Sequence, residues 1–257
     1  MKKIIIIFYS LLAYMAGVAA LLYVIGFLGN FIVPKSIDSG AATGFTQALI
    51  LNILLVILFA IQHSLMARPS FKAWWVRLIG TAAERSTYVL FTSIALFILC
   101  WQWQQMPMVI WKIENETFVL ILTGLYFLGW IIVFLSTFMI NHFELFGLKQ
   151  AFGNFNRQSS DISTFKIKFF YTIVRHPIML GLIIAFWATP IMTLGHFIFS
   201  LMNTLYILIA VKFLEEKDLR KVFGKEYELY QKKVPMIIPL IGKKEKQITL
   251  KEKGTSF

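Results

Sequence analysis

Long apolar segments that lack charged residues alternate with short polar segments along this 257-residue chain. Five segments contain no Asp, Glu, Lys or Arg, and they are residues 4–34, 39–67, 86–111, 117–143 and 177–211. Each exceeds the roughly 20 apolar residues that a helix needs to cross a hydrocarbon core. Because backbone polar groups in lipid must be satisfied within their own segment, the pattern predicts transmembrane helices.

The last segment is long enough for two passes, but Pro190, Thr193 and Gly195 interrupt its middle. Since such residues break helices, we expect a helical hairpin whose first arm, residues 177–190, is short. The first segment follows Lys2 and Lys3 like a signal peptide, yet it is too long for a cleaved one. The predicted fold is all-α: a polytopic membrane helical bundle of five to six membrane segments, with residues 1–257 forming a single integral membrane domain.

After residue 211 the apolar positions follow a helical stripe with charged residues around it. The stripe has spacings of four, four, three and four, and consists of Leu219, Phe223, Tyr227, Tyr230 and Val234. It predicts a cytoplasmic amphipathic helix that extends the last membrane helix or lies along the interface, and that ends near Pro235. Residues 240–257 read as a basic cytoplasmic tail that contacts lipid.

Charge distribution predicts the orientation. With both termini in the cytoplasm and six passes, 23 of the 25 Lys and Arg residues lie on the cytoplasmic side, and only Lys35 and Lys112 lie outside. This is the asymmetry that the positive-inside rule describes. The net charge of +12 therefore reflects topology and attraction to anionic lipid, and no nucleic-acid partner is expected. We expect an integral membrane protein, of a bacterial cytoplasmic membrane.

Composition and motifs exclude several classes. Hydrophobic residues make up 58% of the chain, against roughly 45–50% in soluble domains. The chain contains no G-x-G-x-x-G, Walker, H-E-x-x-H or C-x-x-C sequence, and Cys100 is its single cysteine. Common nucleotide folds, an internal disulfide and a thiolate metal site are thus not expected, and no metal is predicted.

Polar side chains instead gather at the predicted cytoplasmic ends of the helices. They are Gln62, His63, Asn141, His142, Glu144, Arg175, His176, Glu215 and Glu216. Ionisable groups at this depth are costly unless they face a cavity or each other, so they form a candidate site. Singly, each has a plainer interpretation: Arg175 as a topology anchor, the histidines as interfacial groups, and the two glutamates as partners of nearby lysines.

Taken together, these residues resemble a known family. Residues 175–181, "RHPIMLG", and 214–239, "LEEKDLRKVFGKEYELYQKKVPMIIP", resemble the C-terminal module of the isoprenylcysteine carboxyl methyltransferase (NnrU-like) superfamily. Upstream, "QHSLMARPSFKAWW", "ERSTYVL", "STFMINHFELFGL" and "AFWATPIMTLGH" are similar to the branch that methylates methanethiol to dimethyl sulfide. The resemblance covers residues 60 to 239 and implies a membrane methyltransferase that uses S-adenosylmethionine.

The resemblance also implies roles for individual residues, with a cofactor-binding module at about 142–239. Cofactor contacts fall on Arg175, His176, Leu180, Gly181, Glu215, Glu216, Tyr227 and Tyr230. Many family members carry Tyr where this chain has Met179, so no hydroxyl contact is expected there. Arg175 suits the carboxylate of S-adenosylmethionine and an acidic residue such as Glu216 suits its ammonium group.

The predicted acceptor is a small thiol, most simply methanethiol. His142 is the first candidate for the base that deprotonates it and His63 the second, because imidazole titrates near neutral pH. A cation such as Arg175, or the sulfonium itself, would instead lower the pKa of the thiol. Gln62, Asn141 and Glu144 are the candidate acceptor contacts.

Two alternatives stay open at this point. The acceptor could be a prenylcysteine carboxylate or another lipophilic group, which would need a wide opening toward lipid. A small-solute transporter or channel would need a water path to the outer face, where polar residues are few. The lipid bilayer is a certain partner of such a chain, and the sequence predicts no oligomeric state.

Overall fold

The computed structural model describes residues 2–41, 43–156 and 169–239. The predicted basic tail, residues 240–257, lies outside the described residues. Helices come first in the chain: α1 (Lys2–Gly29), α2 (Phe45–Ala67), α3 (Pro69–Ile79), α4 (Thr81–Gln102), α5 (Glu116–Ile140), α6 (His142–Leu145), α7 (Leu148–Asn156) and α8 (Phe170–Ile173). The C-terminal part contains α9 (Pro177–Trp187), α10 (Leu194–Ala210), a π-helical turn (Val211–Glu215), α11 (Glu216–Phe223) and α12 (Lys225–Lys233). Two short strands, β1 (Val109–Lys112) and β2 (Ile191–Thr193), complete the fold.

Within the described ranges, five helices are long and apolar enough to cross a membrane. They are α1, α2, α4, α5 and the continuous helical segment Leu194–Phe223. Their exposed surfaces are rich in large apolar side chains, as lipid-facing surfaces are. The predicted all-α membrane bundle is confirmed, and the protein is an integral membrane protein.

Close packing of α5 on α9 depends on two glycines. A Cβ atom on Gly181 would lie 2.5 Å from the carbonyl oxygen of Gly129, and one on Gly129 would lie 2.6 Å from the carbonyl oxygen of Gly181. Small residues allow membrane helices to approach closely where no hydrophobic effect drives them together. This contact fixes α9, and with it the residues just before α9, against the bundle.

The predicted hairpin is confirmed, with an extended segment completing its first arm. At 11 residues, α9 spans only about 16 Å. The chain then extends into β2, which pairs antiparallel with β1. Because β1 lies in the connection between α4 and α5, the hairpin turn reaches the same side of the bundle as that connection.

The C-terminal stripe forms two helices rather than the continuous helix that its spacing suggested. Gly224 separates α11 from α12 with a φ of +54°, a conformation that glycine adopts without steric cost. The second helix ends at Lys233, close to the predicted boundary at Pro235. Tyr227 and Tyr230 are buried. The break folds α12 back so that its tyrosines reach the start of α9.

Candidate active site

A two-point ion pair joins Arg175 to Glu216. Arg175 lies two residues before α9, and Glu216 is the first residue of α11. The Nε atom of Arg175 donates to Oε1 of Glu216 at 2.8 Å, and its Nη2 atom donates to Oε2 at 3.2 Å. The two side chains are only 10% and 5% exposed. Charges buried this deeply need a full set of partners, because desolvation opposes them.

The remaining donors of Arg175 fasten the C-terminal segment to the bundle. Its Nη1 atom donates to the carbonyl groups of Gln231, at 3.1 Å, and Val234. The backbone amides of Arg175 and His176 donate to the carbonyls of Pro235 and Met236 at 2.9 and 3.1 Å. Arg175 therefore holds Glu216 in place, and in this arrangement it has too few free N–H groups for the expected two-point grip on a cofactor carboxylate.

His176 adds a second positive charge to the same carboxylate. Its Nε2 atom lies 2.7 Å from Oε1 of Glu216, and its Nδ1 atom lies 3.4 Å from Oε2 of Glu215. Burial opposes protonation of His176, but the hydrogen bonds and charges of the two glutamates outweigh it and raise its pKa to about 9. His176 is thus an imidazolium at neutral pH, and both of its ring nitrogens donate.

Two further side chains complete the surroundings of Glu216, which is 4% exposed. The hydroxyl of Tyr227 donates to Oε1 at 2.9 Å, and the Gln231 side chain donates to Oε2. The hydroxyl of Tyr230 donates to the carbonyl of Tyr171. The predicted residues from the two ends of the hairpin therefore meet in one buried cluster, which we call the Glu216 cluster: Arg175, His176, Glu215, Glu216, Tyr227 and Gln231.

An open cleft of about 500 Å³ lies beside this cluster. Its lining consists of Arg175, Lys212, Phe213, Glu216, Arg220, Gln231 and Met236. Only Arg175 and Glu216 among these were predicted from the sequence. The spacing of four between positions 212, 216 and 220 was the signal that would have found Lys212 and Arg220, since residues at that spacing share one face of a helix. The cleft combines the basic side chains of Lys212 and Arg220 with an apolar wall, a composition that suits a charged ligand of moderate size.

Two predicted cofactor contacts lie on α9. Gly181 is buried against Gly129 of α5, so its primary contact is with a helix. Leu180 is half-buried and packs against the apolar core. Neither is part of the cleft lining, so their predicted contact with the cofactor stays a prediction.

The structure places His142 in an aromatic cluster between α1 and α5. Its ring stacks on Phe138 with a centroid distance of 4.2 Å. The Nδ1 atom lies 2.8 Å from the hydroxyl oxygen of Thr137, and the Nε2 atom lies 3.1 Å from that of Tyr14. Burial lowers the pKa of His142. A neutral imidazole is favoured, but both nitrogens already have hydrogen-bond partners.

The neighbours of His142 act as a local helix cap. Asn141 accepts a hydrogen bond from the backbone amide of Glu144 at 3.3 Å, and its own amide donates to the Glu144 carboxylate at 2.9 Å. Lys149 forms an ion pair with the same carboxylate. Asn141 and Glu144 therefore cap the start of α6. The predicted contact of these two residues with the acceptor stays a prediction.

His63 lies on α2, a helix that packs against the C-terminal segment. Its ring stacks on Phe59, and the hydroxyl of Tyr88 lies 3.0 Å from each ring nitrogen. Its neighbour Ser64 lies 2.9 Å from the hydroxyl of Tyr206 on α10, and Arg68, just after α2, forms an ion pair with Asp218 of α11 at 3.0 Å. Gln62 points elsewhere, with its amide nitrogen on Met66 and its oxygen buried without a hydrogen-bond partner among the described residues.

Comparison with known proteins fits this arrangement. A family model described as "NnrU protein" matches residues 51–235, which is most of the chain. The chain belongs to the NnrU family. All members of the Glu216 cluster, together with His63 and His142, fall inside the NnrU match, whereas Tyr14 of α1 falls outside it. The superfamily resemblance found in the sequence is confirmed.

Several curated relatives of this NnrU-family protein are methyltransferases by name. "Methanethiol S-methyltransferase 2" of Bradyrhizobium diazoefficiens is 48% identical over 92% of this chain and 91% of its own length. Proteins named "Methanethiol S-methyltransferase" from Mycobacterium tuberculosis and Pseudomonas deceptionensis are 45% and 46% identical over 93% and 90% of this chain, and 98% and 88% of their own lengths. No solved structure matches the chain.

Proposed function

We propose that this protein transfers a methyl group from S-adenosylmethionine to a small thiol in the membrane, with methanethiol as the acceptor and dimethyl sulfide as the product. The observation that carries the proposal is the Glu216 cluster, a set of buried, paired charges that borders a cleft of about 500 Å³. The relatives named for this reaction match nearly the whole chain and support the same assignment.

The side chains around the cleft fit the groups of S-adenosylmethionine. The molecule has a carboxylate, an ammonium group, a sulfonium and an adenine, and when bound it supplies an electrophilic methyl group. Lys212 and Arg220 on the cleft wall are the cations that would hold its carboxylate. Glu215, whose side chain is 45% exposed, and Glu216 would attract its ammonium group. Phe213 and Met236 provide an apolar surface for the adenine.

Arg175 and His176 would then act by positioning. Their positive charges hold the carboxylate of Glu216 in one orientation and keep it ionised. A carboxylate fixed in this way binds a cation without reorganising during the reaction. The Tyr227 hydroxyl supports the same orientation from α12. We propose Tyr230, Leu180 and Gly181 as residues that shape the site through packing.

The chemistry favours a dry site. A thiolate and a sulfonium combine into two neutral products, so charge disappears as the reaction proceeds, and a low-dielectric setting accelerates such a step relative to water. Alignment of the two sulfur atoms with the methyl carbon lowers the barrier further. Large apolar side chains surround α9 and α10, which lead from the Glu216 cluster into the membrane.

His63 and His142 are the two candidate bases for the thiol, and the geometry favours His63. Ser64, next to His63, contacts Tyr206 of α10, whereas the side-chain hydrogen bonds of His142 are with Tyr14 of α1 and Thr137 of α5. We also propose that both termini face the cytoplasm, which puts the Glu216 cluster where cellular S-adenosylmethionine is found. The distribution of Lys and Arg supports this orientation.

A headspace assay tests the proposed function. Purified protein in detergent or liposomes, with S-adenosylmethionine and methanethiol, should release dimethyl sulfide, measured by gas chromatography. Lys112→Gln, an exposed change at the end of β1 and away from the cluster, serves as an active control. Binding of S-adenosylmethionine without product would reject methanethiol as the acceptor, and prenylcysteine analogues would then be tried. Failure to bind S-adenosylmethionine at all would reject the methyltransferase assignment.

A further inference from the structure

A second polar cluster joins α2 to α4 outside the cleft. The Tyr88 hydroxyl lies 3.0 Å from Nδ1 and 3.0 Å from Nε2 of His63, and the Thr92 hydroxyl oxygen lies 3.4 Å from Nδ1. Tyr88 is 8% exposed. A hydroxyl can both donate and accept, so Tyr88 is able to pass a proton to the imidazole while receiving one from another group. We call His63, Tyr88 and Arg85 the His63 cluster.

Arg85 brings an uncommitted positive charge to this cluster. Its Cζ atom lies 4.8 Å from the centre of the Tyr88 ring, and its Nε atom donates to the carbonyl of Leu145 at 2.7 Å. Within the part of the chain that the structure describes, no hydrogen bond occupies its Nη1 and Nη2 atoms. Arg175, by contrast, uses its terminal nitrogens on Glu216 and two carbonyls. Arg85 therefore retains N–H groups for an anionic ligand beside Tyr88.

The two clusters lie on elements that contact each other. Ser64 of α2 lies 2.9 Å from the hydroxyl of Tyr206 on α10, and Arg68, just after α2, forms an ion pair of 3.0 Å with Asp218 of α11. The π-helical turn between α10 and α11 carries Glu215, whose carboxylate lies within 3.4 Å of His176 in the Glu216 cluster. The helix that carries His63 therefore packs against the segment that carries the proposed donor site. This is the placement that an acceptor site needs, since the thiol sulfur must reach the methyl carbon of the donor.

We propose that the His63 cluster is the acceptor site, where Arg85 holds the thiolate sulfur and Tyr88 passes the thiol proton to His63. This inference rests on the proposed function and specifies its second substrate site. The S–H bond breaks and its proton moves through the Tyr88 hydroxyl to a ring nitrogen of His63. The sulfur lone pair forms the new bond to the methyl carbon, the carbon–sulfonium bond breaks, and its electron pair stays on the donor sulfur. The proton on His63 then leaves to water.

The surroundings of the cluster favour a small acceptor. Phe59 stacks on His63 from one side with a centroid distance of 5.3 Å, and Tyr88 lies on the other. Ser64, the residue after His63, forms a hydrogen bond of 2.9 Å with Tyr206 of α10, which brings another aromatic ring to this region. Because these rings contact one another, an acceptor beside them has to be small, as a one-carbon thiol is. Thiolate sulfur is also a soft anion that a broad, weakly hydrated guanidinium suits better than an ammonium group does.

Two variants test the proposal. Arg85→Gln keeps hydrogen-bonding capacity without the charge and should raise KM for methanethiol by about tenfold or more, the usual loss for one charge-assisted contact. Tyr88→Phe keeps the ring without the hydroxyl and should lower kcat with methanethiol by about tenfold or more, within the range for a lost proton-transfer partner. The Kd for S-adenosylmethionine, measured by calorimetry, should stay within about twofold in both, since each contact lies outside the cleft lining.

Matched changes keep these results interpretable. Arg77→Gln removes the same charge from the exposed surface of α3 and should leave both constants unchanged. Arg85→Lys restores a charge and should recover part of the loss in KM. With trifluoroethanethiol, which ionises far more readily, Tyr88→Phe should lose much less activity than with methanethiol. A misfolded variant would also lose its affinity for S-adenosylmethionine, and that measurement separates folding from catalysis.

The outcomes separate this inference from the proposed function. If the unchanged protein forms dimethyl sulfide while Arg85→Gln and Tyr88→Phe keep normal KM and kcat, the acceptor site is wrong and the methyltransferase assignment stands. An equal loss with both thiols in Tyr88→Phe would reject the proton-transfer role. If the unchanged protein binds S-adenosylmethionine and forms no dimethyl sulfide, methanethiol is the wrong acceptor, and the His63 cluster loses its assigned ligand as well.

Discussion

Arg175 and Glu216 lie 41 positions apart in sequence and form a two-point ion pair, with Nε to Oε1 at 2.8 Å and Nη2 to Oε2 at 3.2 Å. The pair connects the start of α9 with the first residue of α11. His176 and Tyr227 contact the same carboxylate. One carboxylate therefore organises three helices around the proposed donor site, and its loss has structural as well as functional consequences.

Arg175→Ala should destabilise the protein and weaken cofactor binding together. Removing one partner leaves Glu216 buried with an uncompensated charge, and such changes cost about 3–5 kcal/mol of unfolding free energy. We also expect the Kd for S-adenosylmethionine to rise by about tenfold or more, because Glu216 loses its fixed orientation. Thermal unfolding and calorimetry measure the two effects.

Lys149→Ala is the matched control for this change. It removes an ion pair with Glu144 in which the Lys149 side chain is 51% exposed and the Glu144 side chain 37%. The change should therefore cost about 1 kcal/mol of unfolding free energy or less. If Arg175→Ala were no more costly than Lys149→Ala, the buried pair would have no special role in the fold.

Stability should fall in alkaline solution because of His176. Its pKa is raised from 6.5 to about 9 in the folded protein. A group whose pKa is raised by folding stabilises the folded state fully below its unfolded pKa. For His176, this contribution is lost as the pH rises from about 6.5 to about 9. Thermal unfolding of the protein should therefore show a loss of up to about 3 kcal/mol across this window. His176→Asn should lack most of that dependence, and an equally steep decline in the variant would assign it to another group.

Gly181→Ala should separate α5 from α9. The added Cβ would lie 2.5 Å from the carbonyl oxygen of Gly129, too close without a backbone shift, and overpacking of this kind costs about 1–3 kcal/mol. Gly124→Ala on the partner helix α5 is the control, because a Cβ there meets no atom within 4 Å. It should be neutral or slightly stabilising through helix propensity. Equal melting temperatures for the two variants would contradict the close contact.

The two candidate bases should differ in turnover. His63→Ala should lower kcat with methanethiol by about 100-fold, the lower end for loss of a general base. His142→Ala should lower it less, because the contacts of His142 are with Thr137 and Tyr14. Neither change should alter the Kd for S-adenosylmethionine by more than about twofold, since neither residue lines the cleft. A larger loss in His142→Ala would reverse the assignment.

Cysteine labelling should determine the orientation. In a Cys100→Ser background, Lys112→Cys on β1 should react with a membrane-impermeant maleimide added from outside the cell. Lys221→Cys on α11 should react only after the membrane is opened or inverted. Both lysines are exposed, so access depends on the side of the membrane alone. The opposite labelling pattern would place the Glu216 cluster outside the cell.

The local pattern of the chain predicted the membrane spans, the hairpin and the identity of the charged cluster. Absence of charge over 20 or more residues has one stable outcome in lipid, so α1, α2, α4 and α5 follow from composition. Pro177, at the first position of α9, marks the start of the short arm in the same way. The pairing of Arg-His with Glu-Glu across the hairpin followed from the resemblance to known sequences.

Tertiary structure decided which of these residues meet. Helix rotation and depth bring Arg175 onto Glu216, place His142 among the aromatic rings of α5, and set His63 beside Tyr88. A charge pattern gives no such information, because side chains far apart in sequence meet only after helices pack. The break at Gly224 and the π-helical turn before Glu216 are further examples. The sequence by itself determined what crosses the membrane and which groups are charged, and only packing decided which charges neutralise one another and which, like that of Arg85, remain for a ligand.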